Sequence, residues 1–345
     1  MILSVIIVSY QVKYFLEQCL FSVEKALDGV AGGTEIIVID NHSTDGTLEY
    51  LQPRFPQVSF IAQPDNPGFS RANNRALEVA KGDYILFLNP DTILPEDAAR
   101  ICLSFMTQTP GIGAAGVRMI DGAGRYLKES RRGFPTPWVA FCKLSGLTSL
   151  FPHSRLFAGY YLGHLPEDRS SPASILSGAC MWVDRKALEK AGSFDPRFFM
   201  YAEDIDLSHR IEEAGFTNYY IADTTIIHFK GESTRKDIAY TRQFYKAMAQ
   251  FRAKHAKGLI AQGFNQLLNL AIHIRIMLTP HATPSTGKDD AYDLILQEGD
   301  DLSFKEIIGS LQGTYKGKKV LIRARNSLSA VGSPSSEGRG IILKY

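Results

Sequence analysis

Asp40, Asp91, Glu203, Asp204 and His228 are the residues of this 345-residue chain that packing explains least well. Asp91 closes the run Gly82-Asp83-Tyr84-Ile85-Leu86-Phe87-Leu88-Asn89-Pro90-Asp91, whose apolar core of strand length reads as a strand buried on both faces of a parallel sheet. A carboxylate at the carboxyl edge of such a strand stands where open α/β sheets collect ligands. Taken alone, Asn89-Pro90-Asp91-Thr92 is equally good turn chemistry. Together the five residues suit one reaction. Hard carboxylate oxygens hold Mg²⁺ or Mn²⁺ with help from substrate phosphates, and imidazole adds tolerance for Mn²⁺. The cation would neutralise a diphosphate leaving group. A second carboxylate, Glu203 or Asp204, could then take the proton of an attacking hydroxyl, if it lies within hydrogen-bond reach.

The elements that would position these side chains follow from hydrophobic periodicity. A strand over 3–8 leads through Ser9 and Tyr10 into a helix with Phe15, Cys19, Leu20 and Val23 on one face. A second strand, 35–39, ends at Asp40, and Ser43 or Asp45 is expected to cap the helix that follows. A third strand, 58–62, precedes a helix over 71–80, where Arg71 has the wrong sign for the amino end; either a ligand or solvent accounts for it. After Asp91, Pro95-Glu96-Asp97 opens a helix whose acids favour its dipole, and a strand covers 112–119. The stretch 121–172 mixes glycine, proline, basic and aromatic residues and reads as a functional insertion, the wall that meets a second substrate. Regular structure resumes over 173–184. A helix from 203 to 214 then places Glu203, Asp204 and Asp206 in its first turn, where the dipole explains one acid but not three. A strand over 219–227 ends at His228; a lone histidine there is more often a hydrogen-bonded structural residue than a ligand.

Composition narrows the class. The chain is 45% hydrophobic and 21% charged, which suits a globular protein, and a net charge of +2 argues against nucleic acid as a partner. Four widely spaced cysteines, Cys19, Cys102, Cys142 and Cys180, fit buried thiols in a reducing cytoplasm. The amino terminus reads as a strand, with no basic region and no cleavage site of a signal peptide. The apolar stretch 259–278 is interrupted by Gln262, Asn265, Gln266, Asn269, His273 and Arg275, so it reads as a dimer helix or a membrane-interface helix and not as a span.

The motifs that carry a resemblance are Ile-Ile-Val-Ser-Tyr at 6–10, Ile-Val-Ile-Asp-Asn-His-Ser-Thr-Asp-Gly-Thr at 37–47, Asn-Pro-Gly-Phe-Ser-Arg-Ala-Asn-Asn at 66–74, Leu-Asn-Pro-Asp at 88–91 and Glu-Asp-Ile-Asp-Leu at 203–207. Over roughly residues 2–255 the chain resembles the inverting glycosyltransferases of family 2, most closely the bacterial rhamnosyltransferase-like branch that builds cell-surface polysaccharides. The resemblance implies a GT-A (Rossmann-like) fold, an α/β architecture with a mostly parallel central sheet flanked by helices. It implies that Ser9, Tyr10, Asp40, Arg71, Asn74 and Asn89 bind the donor, with Asp40 at the nucleotide base. Asn89-Pro90-Asp91 would be the metal motif with its first Asp replaced by Asn, Asp91 and His228 would meet a Mg²⁺ or Mn²⁺ ion, and Asp204, beside Glu203, would be the base. The donor would be a dTDP- or UDP-sugar, and the acceptor a glycan or lipid-linked hydroxyl.

The expected organisation is a glycosyltransferase domain over 1–257, with a nucleotide-sugar half to 120 and an acceptor half beyond, then an amphipathic helix at 258–280 and an α+β appendage over 281–345. The location implied is cytoplasmic, with peripheral attachment to the inner face of the membrane and homodimerisation as the two roles open to 259–278. Two other readings compete. A sugar-nucleotide pyrophosphorylase needs a glycine-rich phosphate loop after the first strand, where this chain has Ser9-Tyr10-Gln11-Val12-Lys13. An inactive binding or scaffold subunit would have no use for both Asp91 and Asp204.

Overall fold

The computed structural model describes residues 1–230, 238–255, 292–332 and 341–345; the helix expected over 258–280 lies outside them. Four strands, β1 (Leu3–Ser9), β2 (Thr34–Asp40), β3 (Ser59–Ala62) and β4 (Tyr84–Leu88), alternate with α1 (Lys13–Leu27), α2 (Thr47–Leu51) and α3 (Phe69–Leu77). Then come β5 (Thr92–Ile93), α4 (Ala98–Gln108) and β6 (Ile112–Ile120). The insertion holds β7 (Arg131–Arg132), α5 (Pro137–Leu144), α6 (Leu147–Leu150) and β8 (Ser171–Pro172). The chain returns through β9 (Ile175–Leu176), β10 (Cys180–Asp184), α7 (Arg185–Ala191), α8 (Glu203–Glu213), β11 (Thr217–His228) and α9 (Ile238–His255).

The main sheet runs β3-β2-β1-β4-β10-β6-β11-β5, with β8 also on β11. β1, β2, β3, β4, β6 and β11 share one direction, while β10, β5 and β8 oppose it. Antiparallel β10 is wedged between β4 and β6. Both faces are covered, which is why β1 and β4 are apolar runs and do not alternate. Val5, Ile7 and Leu86 meet Leu16, Cys19, Leu20 and Met106 on one face; Ile6, Phe87 and Met181 meet Ala72, Ala76, Leu207 and Ile211 on the other.

The C-terminal residues form a second sheet, β12 (Leu294–Gln297), β13 (Val320–Arg323), β14 (Ser329–Gly332) and β15 (Ile341–Lys344), with α10 (Phe304–Gln312). Leu296, Phe304, Ile307, Leu311 and Val320 share a core with Val12, Phe15, Ile93 and Phe229. Glu17 and Gln18, fully buried in α1, find partners there: Gln18 Nε2 donates to Ser327 Oγ at 2.7 Å, and Ser327 and Ser329 donate to Glu17 Oε2 at 2.6 and 2.9 Å. Glu96 corrects an expectation. It does not serve α4; its carboxylate accepts the Phe304 and Lys305 amides, at 2.7 and 3.0 Å, at the start of α10. Of the two expected caps of α2, Asp45 alone reaches the helix: its Oδ1 accepts from Thr47 N at 3.2 Å, while Ser43 turns elsewhere. Ser43 Oγ accepts from Gln11 N at 2.9 Å and the other Asp45 oxygen, Oδ2, from Lys13 N at 3.2 Å, so both also fix the turn into α1. All four cysteines are buried and free. Among the described residues no helix is long and apolar enough to cross a membrane.

Gly68 sets how the segment before α8 approaches the sheet. Its φ is +89°, a Cβ there would lie 2.5 Å from the Phe199 carbonyl, and Phe69 N donates to that carbonyl at 2.7 Å. Gly68→Ala is therefore expected to lower stability by roughly 2 kcal/mol or more in urea denaturation, since it adds both a left-handed penalty and a clash with backbone.

Candidate active site

Strands that share a direction end at one edge, and the register fixes which residues stand there. Ser9 pairs with Asp40 across β1 and β2, Leu88 pairs with Cys180 across β4 and β10, and His228 is the last residue of β11. Asp40 is buried; its Oδ2 accepts from Ser43 N at 2.8 Å, while Oδ1 has no partner. Ser9 Oγ, Glu203 Oε2 and His228 Nδ1 are also buried without a partner among the described residues. Buried polar atoms are nearly always satisfied, so these four, on residues at or next to this edge, leave hydrogen-bonding capacity open to a ligand.

Asp91 and His228 form a corner. His228 Nε2 lies 3.4 Å from Asp91 Oδ1, and Asn89 Nδ2 lies 3.4 Å from the same nitrogen. Phe229 N donates to the Asp91 carbonyl at 3.0 Å, and Thr92 Oγ1 donates to the Asn89 carbonyl at 2.8 Å, locking the turn that aims the carboxylate. Turn chemistry and an acid at the strand edge beside His228 therefore coexist at Asn89-Pro90-Asp91. The 3.4 Å gap suits adjacent ligands of one hard cation held at about 2.1 Å, with two protein ligands leaving the other positions to phosphate and water. The donor set fits Mg²⁺ or Mn²⁺. Elsewhere, His209, Glu213 and His255 also lie within 4.8 Å of one another.

Asp204 reaches the same edge through β10. Gly178 N donates to Asp204 Oδ2 at 3.3 Å, and one residue on, the Ala179 carbonyl accepts from Asn89 N at 2.9 Å. Arg132, from the insertion, forms an ion pair with Asp204 and donates to the Leu176 carbonyl at 3.2 Å. Burial pulls the Arg132 guanidinium down, but Asp204 and then Tyr160 outweigh it and hold it above its ordinary value. Tyr201 and Ala202, immediately before Glu203, both have left-handed φ, 71° and 65°, backbone strain of the kind that collects at functional sites.

The neighbouring carboxylates are driven apart. Burial first, and the Asp204 charge second, raise Glu203 from 4.5 to about 8. Glu203 is thus a neutral acid at pH 7, while Asp204 is the carboxylate that faces Arg132. Asn74 bonds to the backbone before α8: its Nδ2 donates to the Phe194 carbonyl at 2.7 Å and its Oδ1 accepts the Phe194 amide at 3.0 Å. Arg71 is exposed on α3, and Tyr10 is 37% exposed at the rim. Sequence reasoning did not single out Arg132 or Tyr160. The signal was present in Arg131-Arg132, since charged pairs in an apolar setting need partners: Arg131, buried, donates to the Leu165 and Pro166 carbonyls at 2.6 and 2.8 Å and stacks over Tyr220.

A family model described as glycosyl transferase family 2 matches residues 4–192. N-acetylglucosaminyl-diphospho-decaprenol L-rhamnosyltransferase of Mycobacterium tuberculosis is 28% identical over 256 residues, 69% of this chain and 79% of that protein. Among solved structures, a mannosyltransferase from Pyrobaculum calidifontis in complex with GDP-Man and Mn²⁺ superposes with a TM-score of 0.50 at 18% identity, covering 80% of this chain and 70% of the other. TarS 1-349 of S. aureus in complex with UDP gives 0.50 at 15% identity, covering 81% and 73%. These structural likenesses speak to the fold alone, which is the GT-A type expected from sequence.

Because the folded state holds the Glu203 proton more tightly than the unfolded chain does, its contribution to stability is complete below pH 4.5 and is lost as pH rises through about 8. Glu203→Gln, which cannot ionise, is expected to match the parent near pH 5 and to exceed it by roughly 1–3 kcal/mol near pH 9 in paired urea titrations.

Proposed function

Because the chain belongs to glycosyltransferase family 2, we propose that it moves a hexose, rhamnose or a close relative, from a dTDP- or UDP-linked donor to a hydroxyl of a lipid-linked glycan acceptor, with inversion at the anomeric carbon. Its place is in cell-surface glycan synthesis. The observation that carries the reading is the gathering of an orphaned Asp40 oxygen, the Asp91–His228 corner and Asp204 at one strand edge.

In this reading Asp40 Oδ1 accepts from the nucleotide base, and Ser9 Oγ, Tyr10 and Asn89 line the donor. A Mg²⁺ or Mn²⁺ ion held by Asp91 and His228 would supply Lewis-acid neutralisation of the departing diphosphate. Asp204 receives the proton of the acceptor hydroxyl as its oxygen bonds to the anomeric carbon and the bond from that carbon to the diphosphate oxygen breaks. Arg132 is a positioning residue whose ion pair keeps Asp204 aimed until the acceptor arrives. Glu203 stays protonated behind it and keeps a second negative charge away from the leaving diphosphate. A lipid-linked acceptor is supported by the mycobacterial relative, an N-acetylglucosaminyl-diphospho-decaprenol L-rhamnosyltransferase.

Asp204→Asn is expected to lower kcat by about 100- to 10,000-fold while leaving donor affinity within about twofold, because a base acts only on the way to the transition state. Radiolabelled-sugar transfer measures the rate, and NMR of the product's anomeric proton tests inversion. An Asp204→Asn enzyme with full turnover would remove the base assignment. A scaffold subunit would hydrolyse no donor with Mn²⁺ present.

A further inference from the structure

The insertion carries an apolar surface that the transfer reaction does not use. Trp138, Phe141, Leu150, Phe151 and Leu156 are 45%, 47%, 70%, 46% and 59% exposed. Four of them are joined through contacts with one another or with Phe157, and Leu150 directly precedes Phe151 in sequence. Trp138 stacks on Phe141 at 5.7 Å between ring centroids, both Trp138 and Phe151 pack on Phe157 at 6.1 and 5.3 Å, and Trp138 Nε1 donates to the Leu156 carbonyl at 2.9 Å. Globular proteins seldom leave such a surface open without a use for it. Its charge leans one way: between Glu129 and Glu167 the sequence contains no Asp or Glu, while Arg155 is exposed beside Leu156 and Lys143 is half-buried; Arg131 and Arg132 also fall in the interval but are turned inward, to the Leu165 and Pro166 carbonyls and to Asp204.

We propose that the Trp138-Phe141-Leu150-Phe151-Leu156 surface docks on an anionic phospholipid membrane, so that a lipid-linked acceptor meets Asp204 from the bilayer plane. Interfacial segments pair Trp, Phe and Leu with cations and exclude acids, because anionic headgroups attract the one and repel the other. A protein partner or second copy would equally cover aromatic side chains, but it gives no reason for the absence of every acid over this stretch. The chemistry lies close by along the chain: Tyr160 and Tyr161 follow Phe157, and the Tyr160 side chain hydrogen-bonds Arg132, which pairs with Asp204. The part of the proposal that concerns the acceptor rests on the proposed function; the docking does not.

The chain has two tryptophans, Trp138 exposed and Trp182 buried, so fluorescence reports on the surface directly. With vesicles of phosphatidylethanolamine and phosphatidylglycerol, the full chain is expected to cosediment and its emission to shift blue; with phosphatidylcholine alone, binding falls at least about tenfold. Trp138→Ser combined with Phe141→Ser is expected to weaken anionic-vesicle binding at least about tenfold, and Leu150→Ser, at the most exposed position, severalfold without disturbing the fold. Transfer to a sugar diphosphate bearing only a short alkyl chain should stay at the parent level in these variants, while transfer to the polyprenyl-linked acceptor drops. Absence of vesicle binding in the parent, binding unchanged by the substitutions, equal loss of transfer to the short-chain acceptor, or a light-scattering dimer that the same substitutions dissolve would each overturn the proposal. A parent chain that binds vesicles but transfers to neither acceptor would instead refute the proposed function and leave the docking intact.

Discussion

The molecule depends on strands that stop in phase. β1, β2, β4 and β11 point the same way, and their last residues deliver Ser9, Asp40, the Asn89-Pro90-Asp91 turn and His228 to one edge. A parallel sheet achieves this only if helices return the chain to the opposite edge each time, and α1, α3 and the other helices do so while burying both faces. Register is strict here, since a shift by one residue would send Val5 and Ile7 to the face now filled by Ile6. The core that stabilises the fold is therefore the same arrangement that positions the polar edge.

What the sheet cannot supply is the opposing wall, and the chain provides it from residues distant in sequence. Antiparallel β10 enters between β4 and β6, and the backbone before it ties Gly178 to Asp204 and Ala179 to Asn89. The insertion adds Arg132, whose ion pair holds Asp204 where α8 begins. Two adjacent carboxylates buried together could not both ionise cheaply. The structure resolves this by leaving Glu203 neutral and giving the only nearby guanidinium among the described contacts to Asp204. On the far side, α1 is anchored by Glu17 and Gln18 to Ser327 and Ser329, so the C-terminal sheet braces the helix that follows the Ser9 turn.

Much of this was legible before any coordinates. Apolar runs of strand length ending in Asp40, Asp91 and His228 gave the edge, because buried strands have no packing reason to end in charge. Local signals misled where a side chain serves a distant element. Glu96 looked like a helix-start acid for α4, and its partner is α10, more than 200 residues later. Asn74, expected from its motif to meet the donor, bonds both ways to the Phe194 backbone, a partner 120 positions away. The wedge of β10 was invisible because a short strand's partner is set by the whole sheet and not by its own pattern. Arg132 was hidden for the same reason: its partner, Asp204, lies 72 positions away.

The central claim is that the Asp91–His228 corner and the nucleotide pocket are one site. Calorimetric titration of dTDP and UDP in the presence and absence of Mn²⁺ tests it most directly, because ligands sharing a site must raise each other's affinity by the same factor. The account expects Mn²⁺ to strengthen nucleotide binding at least about tenfold in the parent chain and to have no effect in Asp91→Ala. Nucleotide binding that is indifferent to Mn²⁺ in the parent, or equally enhanced after Asp91 is removed, would contradict it.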